Sequence, residues 1–193
     1  MNKVELCEAL NYVNATRENR SKMAVKIQEQ PYLIPILIEI SKDNLDPISC
    51  KATWVLESIA KKDLQFIYPS INTFIHSLSS LTLESSIRPA SKICQLLVQN
   101  YYAIKISNVN SILTEDHLNA ISEAAFDWLI GDHKVAPKAY SMTTLLLLGR
   151  KIAWIHPELE LILKQNYENG SAAYKARARM TLAVLEKNKS SNL

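Results

Sequence analysis

The sequence predicts an all-α chain in which pairs of helices stack side by side into an α-solenoid. Three observations predict this. Only three glycines occur in 193 residues of which 48% are hydrophobic, a composition suited to packed helices rather than turn-rich sheet. One apolar phrase recurs four times along the chain, and a second phrase, led by proline in three of its copies, precedes each of them.

Taking the elements in order, segments 3–14 and 16–29 are expected to be helices that cap the array as an N-terminal unit over 1–30. The first repeat, 31–61, opens on "PYLIPILIEI", where Leu33, Ile36, Leu37 and Ile40 form one helical stripe. It closes on "DPISCKATWVLESI", with Asp46 as the expected N-cap and Pro47 at the first helical position. The second repeat, 69–103, pairs "PSINTFIHSL" with "SSIRPASKICQLLV". The third, 115–149, pairs the stripe Ile121, Ala124, Ala125 and Trp128 with "HKVAPKAYSMTTLL". The fourth, 157–187, pairs "PELELILKQN" with "SAAYKARARMTLAVL". Helices are therefore expected near 31–43, 47–61, 69–80, 86–103, 115–130, 133–148, 157–169 and 172–187. The whole reads as one domain over 1–188 with a flexible tail at 189–193.

Aligning the four closing phrases on Ile48, Ile87, Val135 and Tyr174 gives steps of 39, 48 and 39 residues, the long step absorbing the insertion "YYAIKISNVNSIL". Four positions on stand Ala52, Ser91, Ala139 and Ala178, a column of small residues that lets a neighbouring helix approach closely. Seven on stand Val55, Cys94, Met142 and Thr181, and eleven on Ile59, Val98, Leu146 and Leu185. Offsets of this kind describe a single buried stripe. Pro89 and Pro137 share a column near the expected helix start, where a missing N–H costs least. Gly131, Gly149 and Gly170 each follow a helix and are expected to be left-handed cap residues. Thr114 is placed to cap the helix that follows it, with Leu113 and Leu118 as a hydrophobic staple.

A proline-led first helix, then an Asp or Ser cap, an aliphatic residue and a small residue four positions later resembles the HEAT repeat over roughly residues 31–188. The resemblance implies a HEAT/ARM-like superhelix of about four helix pairs. The arginine that follows the aliphatic position in HEAT units is matched here once, by Arg88. The segments "LNYVNATRENR", "FDWLI" and "YKARAR" are similar to a family of short bacterial proteins carried under the name adenylosuccinate lyase. That likeness implies a lyase activity, although no Gly-Ser-Ser-x-Met-Pro-type loop occurs in this chain.

The formal charge of +3 is too small to announce a nucleic-acid binder, so the charge distribution carries the argument. The second helices of the four pairs hold eleven cations against four carboxylates, whereas the first helices hold two against ten. Since the two helices of a solenoid repeat line opposite surfaces, a basic, concave groove is expected on the second-helix side. Lys51, Lys138 and Arg177 share one column three residues after the aliphatic position. Arg88 with Lys92, and Lys175 with Arg179, stand four apart. Cations so near helix N-termini oppose the macrodipole by about 0.3–1 kcal/mol each, which ion pairs between repeats or a bound anion would offset. Trp54 and Tyr140 lie beside these cations and complete the expected binding set.

The expected function is that of a non-enzymatic adaptor which binds an acidic or phosphorylated partner, a protein or another anionic macromolecule. The alternative is a nucleic-acid-binding protein. The pair Asp127–Trp128 resembles the equipment of HEAT-like alkylpurine DNA glycosylases, but both fall on a first helix, away from the cations. Neither cofactor nor metal is expected, because His76, His117, His133 and His156 lack ligand-spaced partners and the motifs of hydrolases, nucleotide-binding loops and zinc sites do not occur. Cys7, Cys50 and Cys94 have no pairing pattern and suit a reducing compartment. Charges within the first twelve residues argue against a signal peptide, and "YLIPILI" and "MTTLLLLG" are too short to span a bilayer. A cytoplasmic protein with no membrane contact is the expectation.

Overall fold

The computed structural model describes residues 1–44, 47–103 and 112–190. The expected cap at Asp46 and most of the insertion before the third repeat lie outside the described residues. Within them the chain is all-α and contains no β-strand. The helices are α1 (Lys3–Ala9), α2 (Arg17–Gln28), α3 (Leu33–Ser41), α4 (Pro47–Lys62), α5 (Ile71–Ser77), α6 (Glu84–Ala103), α7 (Glu115–Ile130), α8 (Val135–Leu148), α9 (Ile155–Gln165) and α10 (Ala172–Ser190). Short 3₁₀ turns extend α1 and α5 at their C-terminal ends. Among the described residues, no helix is long and apolar enough to cross a membrane.

The even-numbered helices form a row in which α2 packs on α4, α4 on α6, α6 on α8 and α8 on α10. A second row runs from α1 through α3 and α5 to α7, and α3 packs on α4, α7 on α8, and α9 on both α8 and α10. The repeated phrase explains why the even row is tight. Ala52, Ser91 and Ala178 of the small column are buried, as are Val55, Cys94, Met142 and Thr181 one turn on. Three of the hydroxyls buried in this row are satisfied within their own helix: Thr53 donates to the Ser49 carbonyl, Thr144 to that of Tyr140 and Thr181 to that of Arg177. Burial raises the Cys94 thiol pKa above its ordinary value, so this sulfur is an inert packing atom.

Helix starts follow local chemistry. The Thr114 hydroxyl accepts the His117 N–H, and the His117 ring Nδ1 accepts the Thr114 N–H in return, closing a capping box. Leu113 and Leu118 flank it, both buried. The other ring nitrogen, Nε2, donates to Asn72 Oδ1 at 2.6 Å and ties α7 to α5. Helix α10 runs through Ser190 and so takes in the first two residues of the expected tail, with Lys189 paired to Glu160.

Two expectations about punctuation require correction. The glycines are not left-handed caps: Gly131 has φ −63° and Gly149 φ −62°. They are glycine because of close approach. A Cβ at Gly149 would stand 2.0 Å from the His156 ring, and one at Gly170 would stand 2.5 Å from the Tyr174 ring. The second correction concerns Pro89, which is not at a helix start. Helix α6 begins at Glu84, so Pro89 is its sixth residue, and its missing N–H leaves the Ser85 carbonyl without an intrahelical donor. The Trp54 indole of α4 supplies that donor, Nε1 to O 2.8 Å.

Candidate functional site

The cations expected to share one trough fall into three groups, with Lys138 outside them. Lys51 is a connector: its Nζ donates to the Asn11 carbonyl at 2.8 Å, at the end of the turn that follows α1. A cation near the start of α4 is thereby placed at a C-terminal carbonyl end, where positive charge is favoured. Lys175 and Arg179 gather around Tyr167 at the end of α9. Lys175 lies 5.9 Å from the ring centroid, and Arg179 Nε donates to the hydroxyl at 3.3 Å.

The third group lies on α4, α6, α8 and α10. Glu57 of α4 is 1% exposed, and its carboxylate accepts from Arg88 of α6 (2.5 Å) and from Lys61 one turn on (2.6 Å). Lys92, one turn beyond Arg88, sits 5.0 Å from the Tyr140 ring of α8 and donates to the Gln95 amide oxygen at 2.8 Å. No carboxylate pairs with Lys92 among the described residues. Its pKa is held below the ordinary lysine value first by burial, then by the positive charge of Lys61, with Arg177 of α10 adding to the same effect; Glu57 opposes it. Lys61, Lys92 and Arg177 therefore act on one another across α4, α6 and α10, with Arg88 joined to them through the shared Glu57 carboxylate and Tyr140 through its ring contact with Lys92. Trp54 borders the same surface, with its N–H committed to Ser85 and its ring lining a cavity of about 380 Å³ beside Lys61 and Arg88.

Lys138 stands apart from this group. It lines a shallow cavity of about 320 Å³ with His133, Tyr174 and Ser171, at the start of α10, and has no ion pair among the described residues.

The expected binding set left out Arg20, Lys61, Glu57 and Lys134, although the last three are among the second-helix charges counted from the sequence. The spacing of Glu57 and Lys61 was a visible signal, since residues four apart on a helix face one another. Nothing in the sequence points to Arg20, which is brought in by the packing of α2 on α4. A groove of about 860 Å³ lies between α5 and α7 on the other row and has a different character. Asp116, Glu123 and Asp127 line it together with His76, His117, His133 and the buried Trp128, and among the described residues neither Lys nor Arg lines it. His133 meets Glu84 at the head of α6, with Nδ1 to Oε2 at 2.9 Å. Among the described residues no cluster of His, Cys, Asp and Glu is arranged to hold a metal ion.

The chain matches no protein-family model, and neither a curated protein nor a solved structure is similar to it at a significant level.

Proposed function

We propose that this chain is a HEAT/armadillo-like α-solenoid that works as a non-enzymatic binding module in the cytoplasm, taking an acidic partner protein on its even-helix surface. Two rows of helices, each helix packed on the next of its row, are what stacked helix pairs produce, and they support the solenoid reading. One observation carries the functional part. Lys61, Arg88, Lys92 and Arg177 share a field that contains a single buried carboxylate, Glu57, so the surface is left with uncompensated positive charge. An acidic segment laid across α4, α6, α8 and α10 would supply the missing negative charge and relieve the repulsion at Lys92.

Binding is tested with a fluorescently labelled poly-glutamate peptide, followed by polarisation at low salt. The variant K92E/R177E should bind at least about tenfold more weakly while keeping its helical circular dichroism. Equal affinity of the variant and the wild type would overturn the reading. Duplex DNA in the same assay addresses the nucleic-acid alternative, whose affinity would fall steeply between low and moderate salt. The glycosylase-like version of that alternative has little support, since Asp127 and Trp128 open on a groove of carboxylates that repels phosphate. The lyase likeness is addressed by incubating the protein with adenylosuccinate, for which no turnover is expected.

A further inference from the structure

We infer that the cavity between α2, α4, α6 and the start of α8 is a receptor for a phosphomonoester dianion, the phosphoserine or phosphothreonine side chain of a partner peptide. This deepens the reading of the even-helix surface as an acceptor of acidic protein, and it rests on that reading for its partner. The cavity, of about 380 Å³, is lined by Arg20, Lys61, Arg88 and Lys134, with Trp54 and Glu84. These four cations come from four separate places in the fold and converge on one small volume. A phosphodiester backbone calls for a track of cations along its length, whereas convergence suits a single compact anion.

The charges near the cavity are matched to a dianion. Glu57 lies buried, neutralised by Arg88 and Lys61, and those two pairs hold both cations in place. Glu84 is turned to the head of α8, where Oε1 accepts the Lys134 N–H and Oε2 meets the His133 ring. Against these two carboxylates stand four cations, an excess equal to the charge of a phosphomonoester near neutral pH, about −1.5 to −2. Donors are also available. Among the described residues Arg20 uses only its Nε, on the Thr16 carbonyl, which leaves its terminal guanidinium N–H groups unengaged there. The Lys134 ammonium has no acceptor among the described residues. Three phosphate oxygens can take up these groups together with the Lys61 protons not used by Glu57.

The remaining wall is apolar and small, formed by the Trp54 ring, Ala15, Ala136 and Pro137. It leaves room for a phosphate and the short stem of a serine or threonine. At about 380 Å³ the cavity lies at the low end of the 300–1,000 Å³ range of ligand sites.

The Trp54 indole N–H gives a local probe, assigned in a ¹⁵N correlation spectrum by its loss in W54F. N-acetyl-O-phosphoserine amide should shift this signal saturably. Inorganic phosphate should do so at higher concentration, since it lacks the stem, and dimethyl phosphate should give no saturable shift. The variant R20A/K134A should raise the Kd for the phosphoserine amide about tenfold or more, with the rest of the spectrum retained. Equal response to dimethyl phosphate, or an unchanged Kd in R20A/K134A, overturns the assignment, as does inorganic phosphate binding as tightly as the phosphoserine amide. The poly-glutamate assay is independent of it. If K92E/R177E leaves poly-glutamate binding intact while Trp54 still reports the phosphoserine amide, the wider surface reading fails and the pocket stands.

Discussion

The contact between Trp54 and Ser85 makes a prediction that depends on a residue touching neither group's hydrogen bond. Pro89 deprives the Ser85 carbonyl of its usual donor four residues on, and the Trp54 indole fills that place at 2.8 Å from the neighbouring helix. Replacing Trp54 with Phe removes one neutral hydrogen bond, worth about 1 kcal/mol net, and also some packing area. In a P89A background the new N–H at position 89 reaches the same carbonyl, so loss of the indole no longer leaves it unpaired. The packing loss is common to both backgrounds and cancels in a double-mutant cycle. W54F should therefore cost about 1 kcal/mol less in P89A than in the wild type. The assay is urea unfolding of the four proteins followed by far-ultraviolet circular dichroism, which avoids the change in tryptophan fluorescence. If W54F costs the same in both backgrounds, to within about 0.3 kcal/mol, the carbonyl is not the point of contact that joins α4 to α6 and the reasoning fails.

Two further predictions follow from close approach and from charge. G149A drives a Cβ into the His156 ring, whose Nε2 donates to the Leu146 carbonyl at 2.9 Å, so it should destabilise by about 2 kcal/mol; H156A in the same chain should recover part of the lost melting temperature by removing the clash. The pKa of Lys92 is lowered in the folded state, so the unfolded chain holds that proton more tightly and the penalty is fully present below both values. Wild-type stability should accordingly gain a contribution as pH rises through the lowered value towards 10.5, and K92M should be the more stable protein at neutral pH, by no more than about 1 kcal/mol given partial exposure. Urea midpoints from pH 7 to 10 would refute this if the two proteins ran parallel.

The helices were legible because their signal is periodic and local. Ile59, Val98 and Leu185 are buried where the repeat places them, and Thr114 caps the helix that its own side chain announces. What stayed hidden depends on a second chain segment. The glycines follow helices, as a left-handed cap would, but only the positions of the His156 and Tyr174 rings reveal that space is the constraint. Pro89 was misplaced because α6 begins at Glu84, two residues before the expected start at 86, with Glu84 drawn to the head of α8 by the Lys134 amide and the His133 ring. Likewise Lys51, Lys138 and Arg177 occupy equivalent positions in the repeat, yet equivalence fixes only the direction from each helix axis. The neighbour each one meets is different: a backbone carbonyl, a shallow cavity and a partly buried lysine.

That difference separates cations that serve the fold from cations the fold merely tolerates. Lys51 donates to a carbonyl of the turn that follows α1, and Arg179 and Lys175 are engaged by one tyrosine. Arg88 and Lys61 compensate a carboxylate that is 1% exposed, a role that holds whether or not a ligand exists. Lys92 differs from all of these, since its neighbours Lys61 and Arg177 repel it, burial disfavours its charge, and the acceptor it uses is an uncharged amide. A packing role would be filled better by methionine or leucine, which carry the same bulk without the electrostatic cost. The proposed acidic partner, laid on the even-helix surface across α4, α6, α8 and α10, would supply the negative charge that Lys92 lacks within the described residues.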